Sequence, residues 1–446
     1  MAFVGIEVVD AAVVAAGGDA RRLAASPGLA VLEATGPVVG EEAAAQARAK
    51  PVLVADRFWS DLSADSWAQG GAAPVSHAEL AHAHLSSLWR AVAQPEDAAV
   101  FAVPGAMRLH QAGLLWGIAR RAGIPVAGMV DAAVAACAGL AARGILLHLD
   151  VQLHQAVLTE LSGATVLRRR RVGIAPRAGL RAMYSAWAQL VAEAMVRRTR
   201  FDPLHQAATE QQLYERLPGW LAALGRAESV DTTIETESGS FGATVRREQF
   251  TLAAEAWYAQ LAELVHEGHR ADEEATLALT ARAALLPALG ARLASLPGLE
   301  LAVLPEEAAA AAAAARATEI GPAEPPALVA ALPRSRPLSA AARQRARGAR
   351  PTHVIQDGRA HAIGAEPLVV GAGPGGGRRI ALPAAAGVSR SHCSLVAQGD
   401  RVLVRDSSRH GTWVNGARVD GEAALAAGDR LRVGTPGIVL ELVAVG

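Results

Sequence analysis

The sequence predicts an α/β body made of two similar halves, followed by an all-β sandwich. Three observations predict it. Apolar runs of strand type give way to helical patterns twice over within residues 1–319, the second round beginning near residue 143. A stretch rich in proline and arginine, residues 320–350, then interrupts the pattern and reads as a solvated linker, a tether between the two parts. Beyond it, residues 351–446 carry short alternating runs punctuated by Gly, Asn and Asp, with a hairpin turn at Asp357-Gly358, Arg401-Val402-Leu403-Val404-Arg405 as the clearest period-two strand, and further strands at 430–433 and 438–443.

At 446 residues the chain is long enough for more than one domain. Its 43 Lys+Arg balance 43 Asp+Glu, which argues against a general nucleic-acid binder or a membrane-surface binder. Cys137 and Cys393 stand far apart in apolar surroundings, so a disulfide framework is not expected and a reducing compartment is. The first residues lack a charged segment followed by an apolar stretch of signal-peptide type. The best candidate for a membrane span, residues 124–149, is interrupted by Asp131 and Arg143. A cytoplasmic protein is expected.

In chain order, residues 3–9 and 12–16 read as a hairpin around Asp10-Ala11, with further strands at 29–34 and 52–58. Ser76 with Glu79 three residues on opens a helix to residue 94 as a capping box. A buried strand at 98–103 ends at Pro104-Gly105, and helices follow at 107–122 and 131–142. The second round has strands at 145–149, 155–161 and 164–172, then a helix over 177–198. Leu180, Met183, Trp187, Val191 and Met195 fall there at core-packing spacing. Helix at 203–224, strand with turns at 230–245, and helices at 251–268 and 285–296 come next; the alanine-rich run 306–317 is helical by propensity. His77, His82 and His84 do not make a metal site, because His82 and His84 face apart on a helix without a carboxylate or cysteine. They are expected to be solvated or capping, and no metal is expected. The glycine-rich run 371–377 lies between strands, so it reads as a loop and not as a dinucleotide fingerprint.

Val103-Pro104, the helix leading to Arg121-Ala122-Gly123-Ile124, and Asp131-Ala132-Ala133-Val134-Ala135-Ala136 resemble the connecting region of DnaK-type heat-shock chaperones. Residues 277–287 resemble that family's adenosine segment, and Pro305-Glu306-Glu307-Ala308 the helix after it. The resemblance implies an actin-like, ribonuclease-H-like fold of two duplicated halves, with a body capable of self-association. It also implies a nucleotide held on two glycine-rich hairpins, since only glycine lets backbone N–H groups approach phosphate closely. Here Glu7 and Asp10 occupy the first hairpin, and Asp150 is followed by Val151, Gln152 and Leu153 in the second. Ala281 and Arg282 replace the glycine pair of the adenosine segment. Glu7 and Asp150 remain as magnesium ligands in principle, Asp10 puts a negative charge towards the phosphates, and the side chains after Asp150 fill their space. The body therefore reads as a pseudo-ATPase, without cofactor; ATP and magnesium are disfavoured.

In the last part, Ser389-Arg390-Ser391-His392 and Gly411-Thr412-Trp413-Val414-Asn415-Gly416 resemble the forkhead-associated (FHA) domain, a reader of phosphothreonine peptides. That resemblance implies a binding surface from Ser389, Arg390, Arg409, His410 and Asn415, with Gly371, His392 and Gly411 structural. The arginine that the family places after the glycine of its second strand is Ala372 here. Arg378, Arg379, Arg390 and Arg409 are the candidates to supply substitute charge. The expected function is a non-catalytic adaptor or scaffold binding other proteins, phosphorylated or not. The rivals are an ATPase with a remodelled pocket and a phosphothreonine-dependent switch.

Overall fold

A computed structural model describes residues 2–68, 73–142, 145–163, 165–269, 274–321, 328–334, 350–356, 359–373, 377–382, 387–399, 401–414, 417–426, 429–434 and 437–443. The chain forms two compact units, Met1–Pro337 and Leu338–Gly446.

The first unit contains two large mixed sheets. In the first, β1 (Phe3–Val8), β2 (Val13–Gly17) and β3 (Arg22–Ser26) form an antiparallel meander. β4 (Ala98–Val103) and β5 (Val126–Asp131) then add in parallel on the other side of β1. In the second, β6 (Ile145–Val151), β7 (Gln155–Ser162) and β8 (Val166–Pro176) repeat the meander. β9 (Ala275–Leu279) and β10 (Leu299–Val303) repeat the parallel additions. Both sheets therefore run meander strand three, two, one, then parallel strand four, five. The match extends to single residues: Val8 with Val13 closes the first hairpin and Val151 with Ala156 the second, each around four turn residues.

The helices follow from burial. α1 (His77–Val92) opens with the Ser76–Glu79 capping box and buries Leu80, Leu85 and Leu88 on the first sheet. α2 (Leu109–Arg121) joins β4 to β5 and buries Leu115 and Ile118 beside it. α3 (Ala132–Cys137) is capped by Asp131, whose carboxylate accepts from Val134 N at 3.1 Å. In the second half the predicted stripe on α4 (Leu180–Thr199) is core: Trp187 is fully buried and its indole N–H donates to Phe250 O at 2.8 Å. α5 (Ala207–Leu224), the hairpin Ser229–Thr236/Gly239–Arg246, and α6 (Glu255–Gly268) complete that layer.

The alanine run is not an idle low-complexity segment. α7 (Ala281–Ala284) precedes β10, and α8 (Ala308–Ala315) follows it, buried at Ala309, Ala310, Ala311, Ala313 and Ala314. A helix apolar all round belongs inside, and α8 lies with α3 among residues of both sheets. Its backbone rests on β1 so closely that a Cβ at Gly5 would sit 1.7 Å from Ala310 O. Only small residues on both sides permit that approach.

Several sequence expectations change. Residues 52–58 give only the two-residue strand Val54–Ala55, and the helix expected at 131–142 stops at Cys137. Of the helix expected at 285–296 only Leu289–Ala294 forms, after the separate short helix Ala281–Ala284. His84 is not solvated: it is buried, with Nε2 at 2.7 Å from Ser26 Oγ and Nδ1 accepting from the Trp59 indole at 3.0 Å. Among the described residues no cluster of three metal-ligating side chains occurs, and no helix is long and apolar enough to cross a membrane. Within the stretch 320–350, β11 (Leu328–Val329) pairs with β5 and β12 (Ala331–Pro333) with β8. That stretch thus begins as part of the first unit; the remainder read as a tether lies largely outside the described residues.

The second unit is a sandwich. One sheet holds β13 (His353–Gln356), β14 (Arg359–Ala362), β19 (Thr412–Val414), β20 (Ala417–Arg418), β22 (Arg430–Val433) and β23 (Ile438–Val443). The other holds β15 (Leu368–Ala372), β16 (Arg379–Leu382), β17 (Cys393–Gln398), β18 (Arg401–Asp406) and β21 (Glu422–Leu425). Val370, Ile380, Leu395, Val404, Leu431 and Leu440, all fully buried, fill the space between. The turn expected at Asp357-Gly358 lies outside the described residues.

Candidate functional site

Two places bring predicted site residues together, one in each unit. In the second unit the site grows from β15. A Cβ at Gly371 would lie 2.1 Å from Arg390 O, so the loop 389–392 lies directly on the strand. Ala372 N donates to Ser389 O at 3.0 Å and His392 N to Val370 O at 2.8 Å, which extends the ladder into the loop. Ala372 itself offers only a methyl group.

His392 is fully buried and joins this loop to the next. Ser389 N donates to its Nδ1 at 3.0 Å, so the ring proton is on Nε2, which donates to Gly411 O at 2.7 Å. Gly411 has φ 88°, in the left-handed region that favours glycine. The loop before it is tied by small polar groups: Gly411 N donates to Ser408 Oγ at 2.7 Å, and Thr412 Oγ1 to Asp406 Oδ1 at 2.8 Å. Burial opposes the charge of Asp406, but the hydrogen bonds from Thr412 and Ser408 outweigh it and hold its pKa below the ordinary value. Ser389 Oγ accepts from Arg409 N at 3.3 Å, closing the gap between the loops.

Around this frame the cations divide. Arg379 donates to Arg390 O at 2.7 Å and to Ser391 Oγ at 3.2 Å, and Arg378 to Glu366 O at 3.0 Å and to Ala362 O. Both hold the scaffold. Arg390, Arg409 and His410 are exposed, and among the described residues their side chains have no hydrogen-bond partner. Asn415 lies outside the described residues. The sequence reading missed Asp406, Ser408 and Thr412 as loop builders, although an Asp-Ser-Ser run before a glycine is the composition of a side-chain-tied turn. Residues 369–434 match the FHA domain family model. The C-terminal unit is thus an FHA domain, a protein-interaction module. No curated protein matches the chain.

In the first unit, the other predicted residues meet between the two halves. Glu7 and Asp150 each stand one position before the pair that closes its hairpin. Arg282, on α7, donates through Nη2 to Glu7 at 2.7 Å and through Nε to Asp150 at 2.7 Å. Thr280 Oγ1 donates to the same Asp150 oxygen at 3.1 Å, and Gln152 Nε2 to the other at 3.1 Å. Asp10 faces the second hairpin, accepting from Leu153 N at 2.8 Å. Ala281, beside Arg282, lines the same small cavity as Glu7 and His148.

All three charged side chains of the bridge are nearly buried, which costs several kcal/mol per ion before pairing. Burial raises the pKa of Glu7, with Arg282 opposing. For Asp150, burial is outweighed by the charge and hydrogen bond of Arg282, and the pKa falls. Burial likewise raises Asp10. The remaining space is about 10 Å³ beside Glu7 and Arg282 and about 30 Å³ beside Asp10 and Gln152. Farther out, Arg48 stacks 3.6 Å from the Tyr214 ring, and Gln211 Nε2 donates to Ala44 O at 2.8 Å, so the halves also meet through their outer insertions.

Proposed function

We propose that the chain is a non-catalytic adaptor whose FHA domain captures a phosphothreonine-bearing protein through the loops 389–392 and 408–411. The observation that carries this reading is that exposed Arg390 and Arg409 stand on two loops that meet at Ser389 Oγ. A phosphothreonine brings nearly two negative charges, which a serine hydroxyl does not neutralise alone. With alanine at 372, Arg390 and Arg409 are the two of the four candidate arginines left free for it, while Arg378 and Arg379 hold main chain. His410, exposed beside Arg409, completes the proposed peptide-facing surface; Asn415 joins it on the sequence resemblance alone. The test is retention of the full chain on a degenerate phosphothreonine peptide library and on its unphosphorylated counterpart. Selective enrichment of the phosphorylated peptides is expected. Equal retention would replace phosphate reading with phosphate-independent recognition.

For the first unit we propose an actin-like body that does not bind nucleotide. The shared strand order of the two sheets supports the architecture; the likeness to DnaK-type chaperones rests on sequence segments alone. A magnesium–nucleotide does not fit these residues, because a guanidinium fills the place between the carboxylates and the spaces beside it are far below ligand size. Millimolar magnesium-ATP should leave the melting temperature unchanged, since a ligand of the native state must raise it by mass action. A rise of several degrees would overturn the reading.

A further inference from the structure

We infer that Arg282 holds the place of a divalent cation between the two halves, and that removing its guanidinium turns the seam into a divalent-cation site. The inference starts from the repeated hairpins. Because Glu7 and Asp150 occupy equivalent positions, the packing of one half on the other brings two carboxylates to one point. Like charges at such a point, nearly excluded from water, demand a cation between them. The guanidinium of Arg282 answers that demand with one donor to each carboxylate, both at 2.7 Å.

What surrounds it is oxygen-rich. The Thr280 hydroxyl lies 3.1 Å from Asp150 Oδ1, and Gln152 is held 3.1 Å from Oδ2. Glu306 adds a further negative charge that acts on Glu7. His148 lines the same space. Carboxylates and a hydroxyl are ligands for a hard cation such as magnesium or calcium. Truncating an arginine vacates a volume of the size such an ion and its waters require. The arginine comes from α7, just after β9 of the second half, so the chain carries its own counter-ion and the seam is independent of dissolved metal.

The experiment is thermal melting of the full chain and of Arg282→Ala, each in chelator and in millimolar magnesium, calcium or manganese. Arg282→Ala should melt about 5 °C or more below the parent in chelator, and at least one of the three cations should recover part of that loss. The parent should respond to none. Arg282→Ala combined with Glu7→Gln and Asp150→Asn should lose the cation response. If Arg282→Ala shows no cooperative transition in chelator, a transition recovered in calcium supports the inference and none overturns it. A folded Arg282→Ala indifferent to all three cations overturns it, as does a response that survives in the triple variant. Neither result bears on peptide retention by the FHA domain.

Discussion

The seam of the body and the proposed binding face of the FHA domain solve the same problem with opposite placement of charge. Each joins two turns through one buried side chain. In the body that side chain is Arg282, only 14% exposed, and its charge is consumed by Glu7 and Asp150. In the FHA domain it is His392, which reaches Ser389 N and Gly411 O through one acceptor and one donor nitrogen. Because a neutral tie suffices there, Arg390 and Arg409 stay in solvent. The difference teaches how to tell a closed site from an open one. A cation with both partners inside the protein holds structure, and a cation with none is free for a ligand.

The contrast is broken most severely by Arg282→Ala, which strands two carboxylates in a buried seam. A loss of about 3–5 kcal/mol in unfolding free energy is expected, the range for removing one partner of a buried ion pair. Denaturant titration of the full chain checks it, and a loss of under about 1 kcal/mol would mean the seam is wet enough to screen the pair. His392→Ala should rank next. It leaves Ser389 N without its partner and Gly411 O with Gly434 N alone, at about 1–3 kcal/mol for one buried unsatisfied group, and it should also loosen peptide binding. Hydrogen exchange at the Ser389 amide, which donates to His392 Nδ1, is the sharper readout, since a histidine that merely fills space would leave that amide protected. Arg390→Ala should do least to the fold, within about 0.5 kcal/mol as for other surface changes. Its cost falls on binding instead, about 1.5–3 kcal/mol for one charge-assisted hydrogen bond to phosphate, read by titration with an enriched phosphopeptide. A destabilised Arg390→Ala would place that side chain with Arg379 as scaffold.

The sequence was most legible where local signals and tertiary packing agree. β22 and β23 fall on the predicted residues, and the capping box at Ser76 is formed by both hydrogen bonds. Both hairpins of the body were visible because strand propensity and turn chemistry point the same way. β3 was missed because Arg22-Leu23-Ala24-Ala25-Ser26 has little strand propensity and is held by pairing with β2. β9 was hidden inside a segment read as a ligand loop, and β11 and β12 among prolines. The loss of glycines at the seam was readable, but its consequence was not. Arg282 and Glu7 are 275 positions apart, and nothing local announces that a guanidinium will cross from one half to the other. His84 failed for the complementary reason: its partners Ser26 and Trp59 come from other elements, so its burial is a tertiary fact.

The short strands β11 and β12 give the chain an exit that works as a suture. Six residues, 328–333, cover the free side of β5 in one half and then that of β8 in the other. An open strand edge is a template for another chain. A gene truncated after residue 319, where the helical pattern ends, would encode a body with both of those edges bare. One cut after residue 333 would keep them closed. The border between a soluble fragment and an aggregating one is thus drawn by six residues that resemble a spacer.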